Sequence, residues 1–182
     1  PKKAFQNSIE KLKESGANIS EISVSSVGEA MDLTGLLYSP EAYATWKHKI
    51  EKSPDLMFAK ILERFRSGAN VLASDFINAW DKLMDLRKKY HSEVEGYDAV
   101  IIPTSPIIPP EIGRLMDDGD FYNSQNLLAL RNTRIGNLMG GCSITLPTDI
   151  PSCGFLIMGR PNEEERLLRL AQACELVLAS NQ

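Results

Sequence analysis

Cys142 is the residue whose type and setting most resemble those of a nucleophile, because it directly follows Gly140 and Gly141. Main-chain amides of consecutive glycines can hold an anion or the oxyanion of an acyl-transfer reaction. The residues that follow Cys142 instead predict a buried strand, and a buried cysteine is usually inert packing. A thiol enzyme that uses Cys142 stays open as the weakest of three interpretations.

Serine and histidine chemistry has less support. Ser8-Ile9-Glu10-Lys11 matches an SxxK pattern, but it lies on a predicted amphipathic helix and no KTG segment accompanies it. The two histidines, His48 and His91, fall on separate predicted helices, where solvated surface positions explain them. The sequence contains no GxSxG, GxxxxGK[ST], GxGxxG or HExxH pattern. The residues by themselves therefore predict no local active site.

Three carboxylates, Asp117, Asp118 and Asp120, lie close enough in sequence to suggest a site for a hard cation. Their spacing departs from an EF-hand loop, and Ala129 stands where the closing glutamate would be. We therefore expect a solvated acidic turn, with no metal and no cofactor.

Composition excludes several classes of protein. The chain has 182 residues and a formal net charge of −4, so it has no basic excess for nucleic acid or an anionic membrane surface. No segment is apolar enough for a membrane span or a secretory signal. Three cysteines without CxxC spacing indicate free thiols in a reducing compartment, so a cytoplasmic location is expected. The chain begins with Pro1 rather than Met, so its start need not be that of the gene product.

Periodicity predicts an α/β domain with helices before its main strands. Before residue 97, helices are predicted over 3–14, 28–37, 40–50, 54–65 and 74–90, with one strand over 18–27. The β-branched run at 98–103 predicts the central strand, buried on both faces, and the proline-rich stretch Thr104 to Asp120 predicts a long loop. The remaining elements are a helix over 121–138, strands over 142–146 and 154–158, and a capped terminal helix after Pro161.

From Tyr97 onward the chain contains, in order, the segments Tyr97-Asp-Ala-Val-Ile-Ile-Pro-Thr-Ser-Pro106, Thr133-x-x-x-Asn137, Gly140-Gly-Cys-Ser-Ile-Thr-Leu-Pro147, Gly154-Phe-Leu-Ile-Met-Gly159 and Glu163 to Glu175. In this order they resemble the carboxyl-terminal part of amidase signature enzymes. Earlier segments, Ala4 to Gly16 and Glu63 to Asp85, are also similar to the family. Each segment alone is weak, but their order along the whole chain is specific.

The resemblance implies a serine hydrolase of amides, built on a mixed β-sheet flanked by helices. Its machinery would be a Ser-cisSer-Lys triad, in which lysine is the base, one serine relays the proton and a second serine attacks the amide carbon. The glycine- and serine-rich segment that carries both serines is absent from this chain. Ser25-Ser26 before Gly28 lacks flanking glycines, so no catalytic role is assigned to it. The fold would be incomplete without the amino-terminal portion.

By this resemblance, residues 1–182 form the carboxyl-terminal portion of an amidase domain, mainly helical over 1–96 and with core strands and a last helix over 97–182. Its role would be to support the sheet and shape the substrate pocket. The loop Thr104 to Asp120 and the helix that carries Arg131, Thr133 and Asn137 would face the missing catalytic portion. The expected partners are that portion and a small-molecule amide. The candidate substrate-binding residues are Arg64, Arg131, Thr133 and Asn137.

The chain departs from the family at two points. In glutamine-using tRNA amidotransferase subunits, the segment that this part of the chain resembles reads D-x-x-T-x-x-x-N. Leu130 stands in the place of its aspartate, which disfavours glutamine as the substrate. Gly140-Gly141-Cys142 replaces the more usual G-x-P-a, which leaves the turn geometry open.

The chain alone is predicted to be inactive. The alternative is a free-standing, non-catalytic binding domain derived from an amidase, which would expose an apolar face and a sheet edge. Which amide is hydrolysed and whether the protein forms homo-oligomers stay open.

Overall fold

The structure, a computed structural model, describes residues 1–179. Its helices are α1 (Lys2–Glu14), α2 (Ser25–Asp32), α3 (Thr34–Lys52), α4 (Ala59–Ser67), α5 (Ala73–Glu93), α6 (Ile112–Asp117), α7 (Gly119–Ala129), α8 (Thr133–Met139) and α9 (Glu164–Ala179). Its strands are β1 (Val100–Pro103), β2 (Ser143–Pro147) and β3 (Gly154–Met158), and short 3₁₀ turns lie at Pro54–Leu56 and Gly68–Asn70. The predicted α/β class is confirmed.

The chain divides into two compact units. A helical unit comprises Val24–Tyr90, and a sheet unit comprises Pro1–Ser23 together with the chain from His91 onward. Among residues 1–179, no helix has both the length and the apolar character that crossing a lipid bilayer requires.

The sheet unit contains three antiparallel strands in the order β1-β3-β2. The prediction of a central strand at 98–103 is wrong, because β1 is an edge strand whose residues are only half-buried. The central strand is β3, in which the four residues after Gly154 are buried. Both β1 and β3 are continuous apolar runs, so their composition does not indicate which of them is the central strand and which lies at the edge of the sheet.

Helices α1 and α9 cover one face of the sheet. The Phe5 ring of α1 stacks on Phe155 of β3 with centroids 5.3 Å apart. Ala171 and Leu167 of α9 belong to the same cluster, so this face forms the main apolar core of the unit. The buried members of that core are Leu12, Leu146, Phe155, Ile157, Leu167, Ala171 and Leu178.

Helix α8 packs near the other face of the sheet. A Cβ on Gly136 would lie 3.4 Å from Ser143 Oγ and 3.8 Å from Met158 Sδ, so α8 approaches β2 and β3 closely. On this face the hydroxyl of Thr104 donates a 3.2 Å hydrogen bond to that of Thr145. Gly154 lies beneath this pair, so a polar bridge joins the end of β1 to β2.

In the helical unit, α3 continues through Pro40, where the sequence predicts separate helices. Proline removes one helical N–H donor but does not by itself end the helix. Gly68 approaches the main chain of Ser39 and Pro40 so closely that a Cβ would overlap it. On the surface, Arg66 donates two hydrogen bonds to the Glu51 carboxylate, at 3.0 and 2.7 Å, and links α4 to α3.

Three other local predictions are corrected. Residues 18–27 form no strand: the chain is irregular to Val24, and α2 then begins at Ser25. The predicted loop from Thr104 to Asp120 contains α6 and the start of α7. The predicted helix over 121–138 is divided into α7 and α8, and Asn132 precedes α8 at the break.

Candidate functional site

Three of the four predicted site residues lie at the junction of α7 and α8. Thr133 and Asn137 are one helical turn apart on α8, so their side chains project from the same side of the helix. Arg131 lies just before α8 and is exposed. The structure therefore groups Arg131, Thr133 and Asn137 within one short segment.

The hydroxyl of Thr133 donates a 3.2 Å hydrogen bond to the carbonyl oxygen of Leu130. This bond ties the first turn of α8 to the end of α7, so Thr133 has a local structural role. Asn137 is exposed near the end of α8. A ligand that lies along this side of α8 would meet the Asn137 amide and the Thr133 hydroxyl.

Asn132 positions this junction, although it was not among the predicted site residues. Its side-chain amide donates a 2.6 Å hydrogen bond to the carbonyl oxygen of Pro103, the last residue of β1. No local pattern marks this contact, because it joins residues 29 positions apart. The resemblance could have drawn attention to it only as the neighbour of Thr133.

Arg64 lies in the helical unit, on α4, and is half-buried there. The Ser67 hydroxyl donates to the carbonyl oxygen of Arg64 at 2.7 Å. Arg64 thus belongs to a different unit from Arg131, Thr133 and Asn137.

The amides that follow α8 are not available for an oxyanion. The N–H of Gly140 donates to Asn137 O at 3.3 Å, and that of Gly141 donates to Gly136 O at 3.1 Å, so both close the helix. Gly140 has a φ of 69°, the left-handed conformation that favours glycine. A Cβ on Gly141 would lie 2.5 Å from Gly159 O, so close strand packing explains the second glycine.

Cys142 is arranged for packing. Its thiol donates to Arg160 O at 3.1 Å, and its own carbonyl accepts the N–H of Gly159 at 2.9 Å. A carbonyl oxygen does not act as a general base, so this contact does not activate sulfur as a nucleophile. Elsewhere, burial raises the pKa of the Cys174 thiol, which also disfavours the thiolate.

The serines singled out from sequence also lack catalytic settings. The Ser8 hydroxyl is buried and donates to Ala4 O at 3.1 Å within α1. Ser25 and Ser26 occupy the first turn of α2, and Ser26 is fully buried, beyond reach of a substrate.

The residues predicted to form a solvated acidic turn, Asp117 to Asp120, include the N-cap and the first turn of α7. A carboxylate oxygen of Asp118 accepts the N–H of Phe121 at 2.9 Å and thereby caps α7. The Arg114 guanidinium lies 3.8 Å from the centre of the Phe121 ring, which holds α6 against α7. Residues 1–179 contain no cluster of three or more His, Cys, Asp or Glu side chains that could hold a metal ion.

Comparison with known proteins is consistent across sequence and structure. The family model described as Amidase matches residues 2–168. The chain is 27% identical to 2-amino-5-chloromuconic acid deaminase of Comamonas testosteroni, covering 96% of this chain and 39% of that protein. It is 28% identical to a glutamyl-tRNA(Gln) amidotransferase subunit of Clostridium acetobutylicum, over 96% of this chain and 41% of that protein.

A solved structure of 6-aminohexanoate cyclic dimer hydrolase complexed with substrate has the same fold. The TM-score is 0.79 at 21% identity, over 97% of this chain and 41% of the hydrolase. The chain thus spans about two fifths of the length of the relatives it matches. Because the family match extends over nearly all of the residues, the chain belongs to the amidase family.

Proposed function

We propose that this chain is the supporting, carboxyl-terminal segment of a serine hydrolase that cleaves the C–N bond of a small-molecule amide. The Ser-cisSer-Lys triad of that hydrolase lies outside these residues, in an amino-terminal portion that this segment contacts. The observation that carries the proposal is the extent of the match: the family model covers residues 2–168, but the chain corresponds to only 39% of the Comamonas relative.

The surroundings of the serine and cysteine side chains in this chain support the proposal that the catalytic nucleophile lies outside it. Ser26 is fully buried, Ser8 donates to a main-chain carbonyl, and so does Cys142. Acyl transfer needs a nucleophile held against a base and donors aimed at the oxyanion. Gly140 and Gly141, the amides best placed in sequence for an oxyanion, already serve α8.

The segment shapes one end of the substrate pocket. Arg131, Thr133 and Asn137 supply polar groups at the start and end of α8, and Arg64 on α4 is a further candidate for substrate binding. An amide offers a carbonyl acceptor and an N–H donor, and the side-chain amide of Asn137, which has a donor and an acceptor of its own, complements both. The segment Thr104 to Asp120 borders the pocket, and catalysis needs no metal or cofactor.

Hydrolysis fits this chain better than transfer of ammonia from glutamine. Leu130 is 48% exposed at the end of α7, where the amidotransferase pattern has an aspartate. An exposed leucine offers no charge for the ammonium group of glutamine. The proposed substrate is therefore an amide other than glutamine.

The test is to express the protein encoded by the whole reading frame that contains these residues. Its intact mass and its rate of hydrolysis of simple amides are then measured. We expect a mass well above 20.2 kDa, amide hydrolysis, and loss of that activity when a lysine or serine outside these residues is replaced. The variants Ser25→Ala, Ser26→Ala and Cys142→Ala should retain the catalytic rate of their folded fraction. Hydrolysis by a protein of 20.2 kDa would overturn the proposal.

A non-catalytic binding domain is the second candidate. It is favoured by Ile112 and Met116, which are one turn apart on α6 and are 78% and 66% exposed. Large apolar side chains exposed together mark interaction sites. An intact mass near 20.2 kDa, without amide hydrolysis and with association through these side chains, would support this candidate instead.

A further inference from the structure

Two contacts hold the sheet-facing side of α8 in place. At its start, the side-chain amide of Asn132 donates a 2.6 Å hydrogen bond to the carbonyl oxygen of Pro103 in β1. One turn later Gly136 is buried, and a Cβ there would lie 3.4 Å from Ser143 Oγ and 3.8 Å from Met158 Sδ. Residues four apart lie on the same side of a helix. The two contacts therefore seat α8 against all three strands of the sheet.

The carbonyl oxygen that Asn132 reaches is itself fixed to the sheet. The N–H of the next residue, Thr104, donates to Gly154 O in β3 at 2.9 Å. The hydroxyl of Thr104 donates to that of Thr145 in β2 at 3.2 Å. The ring of Pro103 also restricts its φ. The acceptor therefore moves with the sheet, and α8 cannot slide or rotate without losing the bond from Asn132.

Thr133 and Asn137 each follow one of the two sheet contacts by a single residue. Successive residues of an α-helix are turned by about 100°, so these two side chains lie beside the sheet-facing side of α8 rather than on it. Thr133 is half-buried and Asn137 is exposed. The direction in which both side chains project is therefore set by the rotation of α8, which Asn132 and Gly136 fix.

Helix capping does not explain Asn132. An asparagine before a helix usually has an extended main chain and accepts an N–H of the first turn with its side-chain oxygen. Asn132 instead has a helical main chain, with φ −73° and ψ −43°. Within residues 1–179 its side chain makes no capping hydrogen bond to the first turn of α8. Its described side-chain bond is the one that crosses to β1.

We propose that Asn132 is a positioning residue for substrate binding, which acts by holding α8 against the end of β1. The held rotation presents the side chains of Thr133 and Asn137 to the amide. This inference rests on the proposed function. Asn132 does not touch the substrate and acts only through these two residues. Gly136 assists, because a side chain larger than that of alanine would push α8 away from β2 and β3.

Asn132→Asp in the protein expressed from the whole reading frame tests this role. Aspartate has the shape of asparagine without the N–H donor, and it is favoured at a helix start, so the variant should fold. The probe is whichever of acetamide, hexanamide and benzamide the parent hydrolyses fastest. We expect its KM to rise about 10-fold, with kcat changed less than about twofold. Asn132→Ser, a second capping residue that is too short to reach Pro103, should give the same result.

The division between KM and kcat separates positioning from stability. A loss of folded protein lowers the apparent kcat and leaves KM unchanged, so an unchanged KM in both Asn132 variants would overturn the proposal. Ser15→Ala is the matched control, because it removes a 2.7 Å bond from a partly buried hydroxyl to Leu12 O in α1. Its KM should equal that of the parent. An equal rise of KM in Ser15→Ala would assign the effect to general destabilisation and overturn the proposal.

A cycle of variants tests whether Asn132 acts through its neighbours. In a chain that already carries Thr133→Val and Asn137→Ala, Asn132→Asp should raise KM by less than about twofold, because the positioned groups are gone. A 10-fold rise in that background, the same as in the parent, would show an independent role and overturn the inference.

Amide hydrogen exchange follows α8 without any substrate. The N–H groups of Gly140 and Gly141 donate to Asn137 O and Gly136 O, at 3.3 and 3.1 Å. In Asn132→Asp they should exchange at least about 10-fold faster than in the parent, whereas the amides of α9 should not change. Unchanged exchange at both glycines would show that Asn132 does not hold α8 and would overturn the proposal.

The results distinguish this inference from the proposed function. Amide hydrolysis by the parent with an unchanged KM in Asn132→Asp would overturn the positioning role and leave the function intact. A parent protein that hydrolyses no amide would refute the proposed function, and the role of Asn132 in substrate binding would fail with it.

Discussion

The side-chain amide of Asn132 and the carbonyl oxygen of Pro103 are joined by a 2.6 Å hydrogen bond between the start of α8 and the end of β1. This bond fixes the main chain between Arg131 and Thr133, two of the proposed substrate-binding residues. The helix break, the sheet edge and the candidate site are therefore coupled by one side chain.

Asn132→Ala should lower the free energy of unfolding by about 1 kcal/mol, because the half-buried carbonyl of Pro103 loses its donor. Urea unfolding followed by circular dichroism measures the change. Asn123→Ala, at an exposed position of α7, is the control and should have little effect. Equal stabilities of the two variants would show that the bond contributes nothing.

Gly154→Ala should destabilise the sheet by about 1–3 kcal/mol, because its Cβ would lie 2.5 Å from Thr104 Oγ1 and 2.7 Å from Thr145 Cγ2. Thr104→Ala in the same chain removes the nearest atom, so the double variant should recover part of the loss. Gly113→Ala in α6, where a Cβ meets nothing within 4 Å, is the matched control and should be at least as stable as the parent. Strictly additive effects of Gly154→Ala and Thr104→Ala would contradict this account.

Cys174 should make stability fall at alkaline pH. Burial raises the pKa of its thiol, so the folded chain holds this proton more tightly than the unfolded chain does. The resulting stabilisation is complete below the unfolded pKa of about 8.5 and is lost as pH rises through the higher folded pKa. The difference in unfolding free energy between the parent and Cys174→Ala should therefore shrink over that range. A difference in unfolding free energy that does not change with pH would refute the assignment of this pH dependence to Cys174.

Arg64 and Arg66 provide a paired test of the proposed pocket on α4. Arg64→Ala should raise KM for the amide substrate about 10-fold with little change in kcat, as expected when a charged hydrogen bond to bound substrate is lost. Arg66 pairs with Glu51 at the surface, so Arg66→Ala should leave KM unchanged. Steady-state kinetics of the protein from the whole reading frame distinguish the two. A KM unaffected by Arg64→Ala would remove this residue from the site.

Local sequence determined the existence of most elements. The β-branched runs at 100–103 and 154–158 predict strands because their side chains suit a pleated, buried surface, and α9 follows from its acidic first turn and apolar face. The ordered family motifs, taken together, also predicted the amidase family. These signals are local or cumulative along the chain, so a single sequence carries them.

Tertiary structure decided what depends on distant partners. β3 rather than β1 is central because two strands pair with it, and residues 18–27 form no strand although their alternation permits one. Likewise, α7 and α8 separate beside Asn132, whose side chain reaches Pro103. The sequence predicted Arg131, Thr133 and Asn137 as a group, but their placement beside a sheet edge depends on that contact. A hydrogen bond across 29 positions has no local periodicity, so only the folded chain reveals it.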